Sequence, residues 1–208
     1  MTIPVFGLVM TFVIWLTYEL KKHTRLEQKS TREFWERESR SGFVPRKSTA
    51  DIRYLTVSED FLPIDRGEED SELNILCTRI LNFKDKPVAD LSSMTNTELK
   101  ERYGTANFTS LSEADTNFTS IVPLLGKLCE LLYDEGRIAE AETAAVFCAE
   151  AGVMTYPVLH TLGSIYSSIG ETEKLRNLIT EAKQNPSCQE RTLKSLEAMA
   201  GYREDEGQ

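Results

Sequence analysis

The sequence predicts an all-α chain in three parts: an N-terminal transmembrane helix, a charged stalk, and a domain of α-α hairpins with an extended arm. Three observations carry this. The run Thr2 to Tyr18 holds no charged residue. The apolar residues downstream recur at helical spacing, the mark of amphipathic helices. Finally, two stretches between Leu125 and Ala182 superimpose at a constant offset of 34 residues, the length of one helix–turn–helix unit.

From the N-terminus, Thr2 to Leu20 gives roughly 28 Å of helix, enough for a bilayer core. Trp15 and Tyr18 fall where an aromatic belt would sit. No basic residue precedes the run and no small-x-small site follows it, which disfavours a cleaved signal peptide. Lys21, Lys22, Arg25, Lys29 and Arg32 follow directly. The positive-inside rule then places the N-terminus outside and the domain in the cytoplasm of a single-pass cell-membrane protein. Lys21, Lys22 and Arg25 would lie at anionic lipid, with the membrane reached through residues 2–20.

Lys21 to Arg40 reads as a stalk helix with Glu33–Arg37 and Glu36–Arg40 at i,i+4. Ser41-Gly42 and Pro45 end it. Ile52 to Pro63 lacks a helical period and reads as an extended arm with too many apolar residues to be a free linker. Asp65 to Asp70 is an acidic turn. A helix follows at about Glu69 to Asn82, with Leu73, Leu76, Cys77, Ile80 and Leu81 on one face. Thr95-Asn96-Thr97-Glu98 is a capping box opening a short helix closed by Gly104. A long pattern runs from about Ser112 to Glu135, with a kink or restart expected at Pro123. Helices at about Ile138 to Ala151, Tyr156 to Ile169, Thr172 to Gln184 and Asn185 to Met199 complete the chain. The boundaries are 1–20 for the transmembrane helix, 21–42 for the stalk, 43–67 for the arm, 68–201 for the helical domain and 202–208 for a charged tail.

The 34-residue echo pairs Leu125 with Leu159, Leu128 with Leu162, Leu132 with Tyr166, Gly136 with Gly170, Ala141 with Leu175 and Cys148 with Ala182. With Gly163, these residues resemble tetratricopeptide repeats. The second unit keeps Leu162, Gly163, Tyr166, Gly170 and Ala182, with Pro186 one residue early; the first keeps Leu128, Gly136 and Ala141, with Cys129 where the pattern has Gly. About three units are needed for an independent stack. The Glu69–Asn82 and Thr97–Tyr103 helices, or a partner, must therefore complete this one. The resemblance implies a concave face built from the first helix of each unit. That face would carry Gly126, Glu130, Tyr133 and Asp134 from one unit, and His160, Ser164, Ser167 and Ser168 from the other. Thr95 to Gly104 (TNTELKERYG) and Phe61-Leu62-Pro63 also resemble segments of a group of uncharacterised bacterial membrane-anchored proteins, a likeness that speaks to topology alone.

Charge divides unevenly. Met1 to Arg53 carries ten Lys/Arg against six Asp/Glu, a net of +4; the remainder carries 14 against 27, a net of −13. No basic stripe lies on the domain, so nucleic acid is excluded as a partner. Cys77, Cys129, Cys148 and Cys188 form no C-x-x-C, and His23 and His160 lie elsewhere, so no metal site is expected. Cys129 and Cys148 read as small core residues. No phosphate-binding glycine loop and no nucleophile–base pair stands out, so neither enzymatic activity nor a cofactor is expected. Glu130, Asp134 and Glu135 read as solvated helix-end charges. The expected function is a membrane-anchored cytoplasmic adaptor or scaffold for a protein partner. The alternative is a small structural subunit of a larger membrane complex. Because Glu130, Asp134, Ser164 and Ser168 stand where carboxylate-clamping repeats carry basic residues, a groove ligand is expected to be neutral or basic.

Overall fold

The computed structural model describes residues 3–63, 71–185 and 188–201. These form eight helices: α1 (Ile3–Ser41), α2 (Glu72–Leu81), α3 (Asn96–Tyr103), α4 (Thr105–Asp134), α5 (Ile138–Glu150), α6 (Tyr156–Ile169), α7 (Thr172–Gln184) and α8 (Glu190–Met199). No strand occurs among the described residues. The acidic turn at Asp65–Asp70, Pro186 and the tail at 202–208 lie outside them, as do the side chains of Lys21, Lys22 and Arg25.

The expected membrane span requires correction. Among the described residues no helix is long and apolar enough to cross a membrane. α1 is 39 residues long, but its uncharged part runs only from Ile3 to Tyr18 before Glu19, Lys21 and Lys22. Those residues supply about 24 Å against a hydrocarbon core of about 30 Å. Pro4, Gly7, Thr11 and Thr17 dilute the run further. The expectations of a transmembrane helix, a single membrane pass and an orientation derived from it therefore do not hold.

The chain divides into two compact units, residues 1–49 with 93–109, and residues 50–92 with 110–208. In the first, α1 packs on α3. The capping box is complete: the Thr95 hydroxyl accepts from the Glu98 amide, and the Glu98 carboxylate accepts from the Thr95 amide. The rest of TNTELKERYG holds the end of α1. Arg37 forks onto Glu101 at 2.8 and 2.5 Å. Glu38 accepts from the Thr97 hydroxyl at 2.5 Å and pairs with Lys100. The Lys47 amide donates to the Tyr103 carbonyl, and Lys47 Nζ donates to the Glu101 carbonyl. Gly104 has φ +88°, and a Cβ there would strike the Pro45 carbonyl and stand 2.8 Å from Arg46 Cα. Arg40, expected to meet the Glu36 carboxylate, instead donates to the Glu36 backbone carbonyl, while Arg32 takes that carboxylate at 2.8 Å.

The second unit holds the main apolar core. It joins Val57, Phe61 and Leu62 of the arm, Leu73, Leu76, Cys77 and Ile80 of α2, and the inward residues of α4 to α8. α6 packs on α5, α7 and α8. The close passage of α8 is fixed at Gly163, where a Cβ would stand 2.6 Å from Leu196 Cδ2. Completion of the stack thus differs from expectation. α2, the arm and α8 complete it, whereas α3 belongs to the other unit. The reason lies in its side chains: Thr97, Lys100 and Glu101 of α3 bond to Glu38 and Arg37 of α1. α4 also differs, running unbroken through Pro123. That residue is exposed, so the carbonyl left without its helical partner can face water.

The 34-residue echo has a structural counterpart in burial and in the turns. Leu125 and Leu159, Leu128 and Leu162, Leu132 and Tyr166, Ala141 and Leu175, and Cys148 and Ala182 are buried pair by pair. Gly136 and Gly170 both have φ +76°, the left-handed backbone that favours glycine at a helix end. The amides of Arg137 and Glu171 both donate at 2.9 Å, to the carbonyls of Leu132 and Tyr166, again 34 residues apart.

Candidate functional site

The stripe Gly126–Glu130–Asp134 on α4 extends at i−4 to Val122 and Phe118. The stripe His160–Ser164–Ser168 on α6 extends the same way to Tyr156. Residues four apart share a helix face. At the N-terminal end of both stripes lies a pocket of about 430 Å³, walled by Phe118 and Val122, by the turn Gly152–Pro157, and by Gln189 and Thr192. Asp90 and Ser92 close another side.

Each wall has a local cause. The loop carrying Asp90 is strapped to α4: the Leu91 amide donates to Asp115 Oδ1 at 3.0 Å, the Ala89 amide to the Ala114 carbonyl at 3.2 Å, and Asn117 Nδ2 to the Pro87 carbonyl at 2.8 Å. Asp90 Oδ1 accepts from both the amide and the hydroxyl of Ser92. Thr155 and Gln189 are the N-caps of α6 and α8, and neither side chain makes a capping bond. At α6 the second helical residue is Pro157, which has no N–H to offer a capping hydroxyl. Thr155 Oγ1 is consequently buried with no hydrogen-bond partner among the described residues, a costly condition for a polar atom.

The sequence-predicted site residues are distributed along the two stripes. Glu130 and Asp134 are exposed near the C-terminus of α4, where their charge opposes the helix dipole. Tyr133, His160 and Ser164 are half-buried, and His160 lies 5.2 Å from Tyr156, ring to ring. Gly126 faces α6 closely enough that a Cβ would meet Pro157 at 3.3 Å. The Ser167 hydroxyl donates to the Met199 carbonyl at 3.4 Å and that of Ser168 to Ile165 at 2.8 Å. None of these residues lines the pocket, which gathers Phe118, Val122, Thr155 and Tyr156 instead. The signal for three of them, Val122, Phe118 and Tyr156, was present in the sequence as the i−4 continuation of each stripe. Gln189 and Thr192 had none, because α8 reaches the pocket only through tertiary packing.

No cluster of His, Cys, Asp and Glu able to hold a metal occurs among the described residues. Cys129 and Cys148 are free and buried. A hydrogen bond with Cys129, together with burial, pushes the Cys148 thiol well up, so it is a poor nucleophile. Two Asn-Phe-Thr stretches begin at Asn107 and Asn117, and both asparagines have structural uses: besides the Asn117 strap, Asn107 Nδ2 donates to the carbonyls of Lys47 and Tyr103, both at 2.8 Å.

No protein-family model matches the chain, and neither a curated protein nor a solved structure matches it.

Proposed function

We propose that the second unit is a tetratricopeptide-like binding module, acting as an adaptor or scaffold that takes a segment of a partner protein at the pocket walled by α4, α6 and α8. The observation that carries this reading is the double periodicity of the hairpins. Burial, left-handed glycines and turn hydrogen bonds all return after 34 residues, and the pocket opens between first helices of such units. Phe118, Val122 and Tyr156 suit an apolar side chain of the partner. The first-turn amides of α6 and α8, which no N-cap side chain bonds, suit its backbone carbonyls. Glu130 and Asp134, farther along the α4 stripe, favour a neutral or basic continuation of that segment.

A photo-crosslinking residue placed in turn at Phe118, Tyr156, Gln189 and the exposed Thr180 of α7 tests this. The same partner polypeptide should be captured from the first three positions and not from Thr180. Equal capture at all four, or capture at Thr180 alone, would remove the pocket from consideration.

A second reading, a structural subunit of a larger assembly, is favoured by one observation. Met10, Phe12, Val13, Trp15, Leu16 and Tyr18 of α1 are all exposed, and apolar patches of that extent mark interaction surfaces. Deleting residues 1–20 separates the two readings. The structural-subunit reading requires loss of assembly with the pocket intact, and the module reading requires that crosslinking at Tyr156 persist.

A further inference from the structure

Two further depressions adjoin on the second helices of the hairpins. One, of about 420 Å³, lies between α5 and α7, with Tyr166, Leu178, Glu150 and Glu181 among its walls. The other, of about 460 Å³, lies between α5 and the arm, with Phe61, Phe147, Glu142 and Asp60 among its walls. Val146 and Glu150 line both, so the two form one continuous groove. Its floor is apolar and partly aromatic: the Phe61 and Phe147 rings stack at 3.8 Å between centroids. Its rim is acidic, with Asp60, Glu142, Glu150 and Glu181.

Tyr166 is the telling residue of the groove. It is 7% exposed, and its ring packs against the apolar cluster of the unit. Burial raises its pKa, and the charges of Glu142, Glu181 and Glu171 raise it further, so negative potential concentrates there. Among the described residues a cation stands at this point: Lys174, 5.4 Å above the Tyr166 ring and 3.8 Å from Glu142. The pair is loose, since the Lys174 side chain is 51% exposed, and an exposed pair of this kind is weakly held. Lys174 thus shows what the subsite accepts: a cation above an aromatic face, flanked by carboxylates.

We propose that this groove is a second docking site, for a basic segment of a partner protein in which a Lys or Arg enters beside Tyr166, Glu142 and Glu181 while a neighbouring apolar side chain lies over Val146 and Phe147. The incoming cation replaces Lys174. The site is independent of the pocket at the start of α6, and two separate sites are what an adaptor requires.

Fluorescence anisotropy of the full chain with a labelled 14-residue Leu/Lys peptide tests the proposal, with an all-Lys peptide and a Leu/Glu peptide as comparisons. The Leu/Lys peptide should bind, more tightly than the all-Lys peptide, and weaken with added salt. Glu142→Gln with Glu181→Gln should weaken it about tenfold. Lys174→Ala should tighten it about two- to fivefold by removing the competing cation. Val146→Asp should abolish the preference for Leu/Lys over all-Lys. Circular dichroism melts should show the charge variants folded; Val146 is half-buried against the core, so Val146→Thr, of similar size, should also lower the preference and serves where Val146→Asp melts early. Glu113→Gln with Glu135→Gln, which removes two exposed acids elsewhere, should change nothing. If the Glu113/Glu135 pair weakens binding as much as the Glu142/Glu181 pair, the net charge of the unit alone attracts the peptide and the groove is not a site. If Glu130→Gln with Asp134→Gln abolishes binding while the Glu142/Glu181 pair does not, the peptide occupies the first-helix face, and this proposal fails while the module reading stands.

Discussion

The two units of this chain use opposite chemistries. In the unit formed by α1 and α3, a polar set joins the elements: a bidentate Arg37–Glu101 pair, Glu38 held by Thr97 and Lys100, and Asn107 bridging two carbonyls. In the other unit, Leu125, Leu128, Leu132, Leu159 and Leu162 are buried with their neighbours in one apolar cluster. A side chain in a close-packed core is felt by everything around it, whereas surface ion pairs contribute little each. Identical truncations should therefore have very different consequences in the two units, and the first unit should answer to solvent conditions that leave the second unmoved.

The largest effect is expected in the apolar unit. Leu128 and Leu162 stand 34 residues apart and are 0% and 1% exposed. Replacing either with Ala should cost about 2–5 kcal/mol, through lost transfer energy and the cavity left behind. Denaturant unfolding measures this. Equivalent repeat positions should lose similar amounts. A loss near zero for both would break the comparison at its stronger end.

A smaller effect is expected where backbone, not apolar surface, is at stake. Gly104→Ala adds a Cβ at φ +88° against Pro45 and Arg46, a strain of about 1–3 kcal/mol. Asn107→Ala strips a donor from the Lys47 and Tyr103 carbonyls and an acceptor from Arg46 Nε, which costs about 1–3 kcal/mol if those groups stay dry. Hydrogen exchange should show both losses at the α3 amides, with the α6 amides unchanged. Protection lost equally in α3 and α6 would mean that the two units open as one.

The same contrast explains what could be read from sequence. Leu128 and Leu162 announce themselves through period and offset, because a core helix must repeat its apolar face. Thr2–Tyr18 looks like a membrane span by composition, but the uncharged helical part ends too soon. The partners of TNTELKERYG could not be read at all. Thr97, Lys100 and Glu101 meet residues about 60 positions away, and neither charge nor hydroxyl carries a period that would reveal its partner. The two proposed binding surfaces fall between these cases. Val122 and Tyr156 continue visible stripes, while Gln189, Thr192 and the Val146–Glu150 junction of the second groove exist only through packing.

The smallest expected effect is also the most selective, and it concerns pH. Glu38 is held below the usual carboxylate range by the Lys100 and Thr97 hydrogen bonds. Glu101 is held below it by the bonds from Arg37, and Glu98 by those from Thr95. A carboxylate whose pKa is lower folded than unfolded binds its proton more readily in the unfolded state. Its contribution is therefore complete above the unfolded value, near 4.3 for Glu, and is lost as pH falls through the lower folded value. Arg37 stays charged throughout, so protonation of the acids alone decides the outcome. Between pH 7 and about 5 the α3 amides should keep constant protection once the intrinsic exchange rate is divided out; below about 4 they should lose it. The α6 amides should hold theirs across the same range, because their helix is secured by apolar burial. Glu38→Gln should make α3 less protected at pH 7 and flatten its acid response. Added salt should reduce α3 protection at pH 7, since these pairs are exposed to screening. If α3 and α6 lose protection together on acidification, the ion pairs are not what distinguishes the units, and the contrast reduces to the amount of apolar surface each one buries.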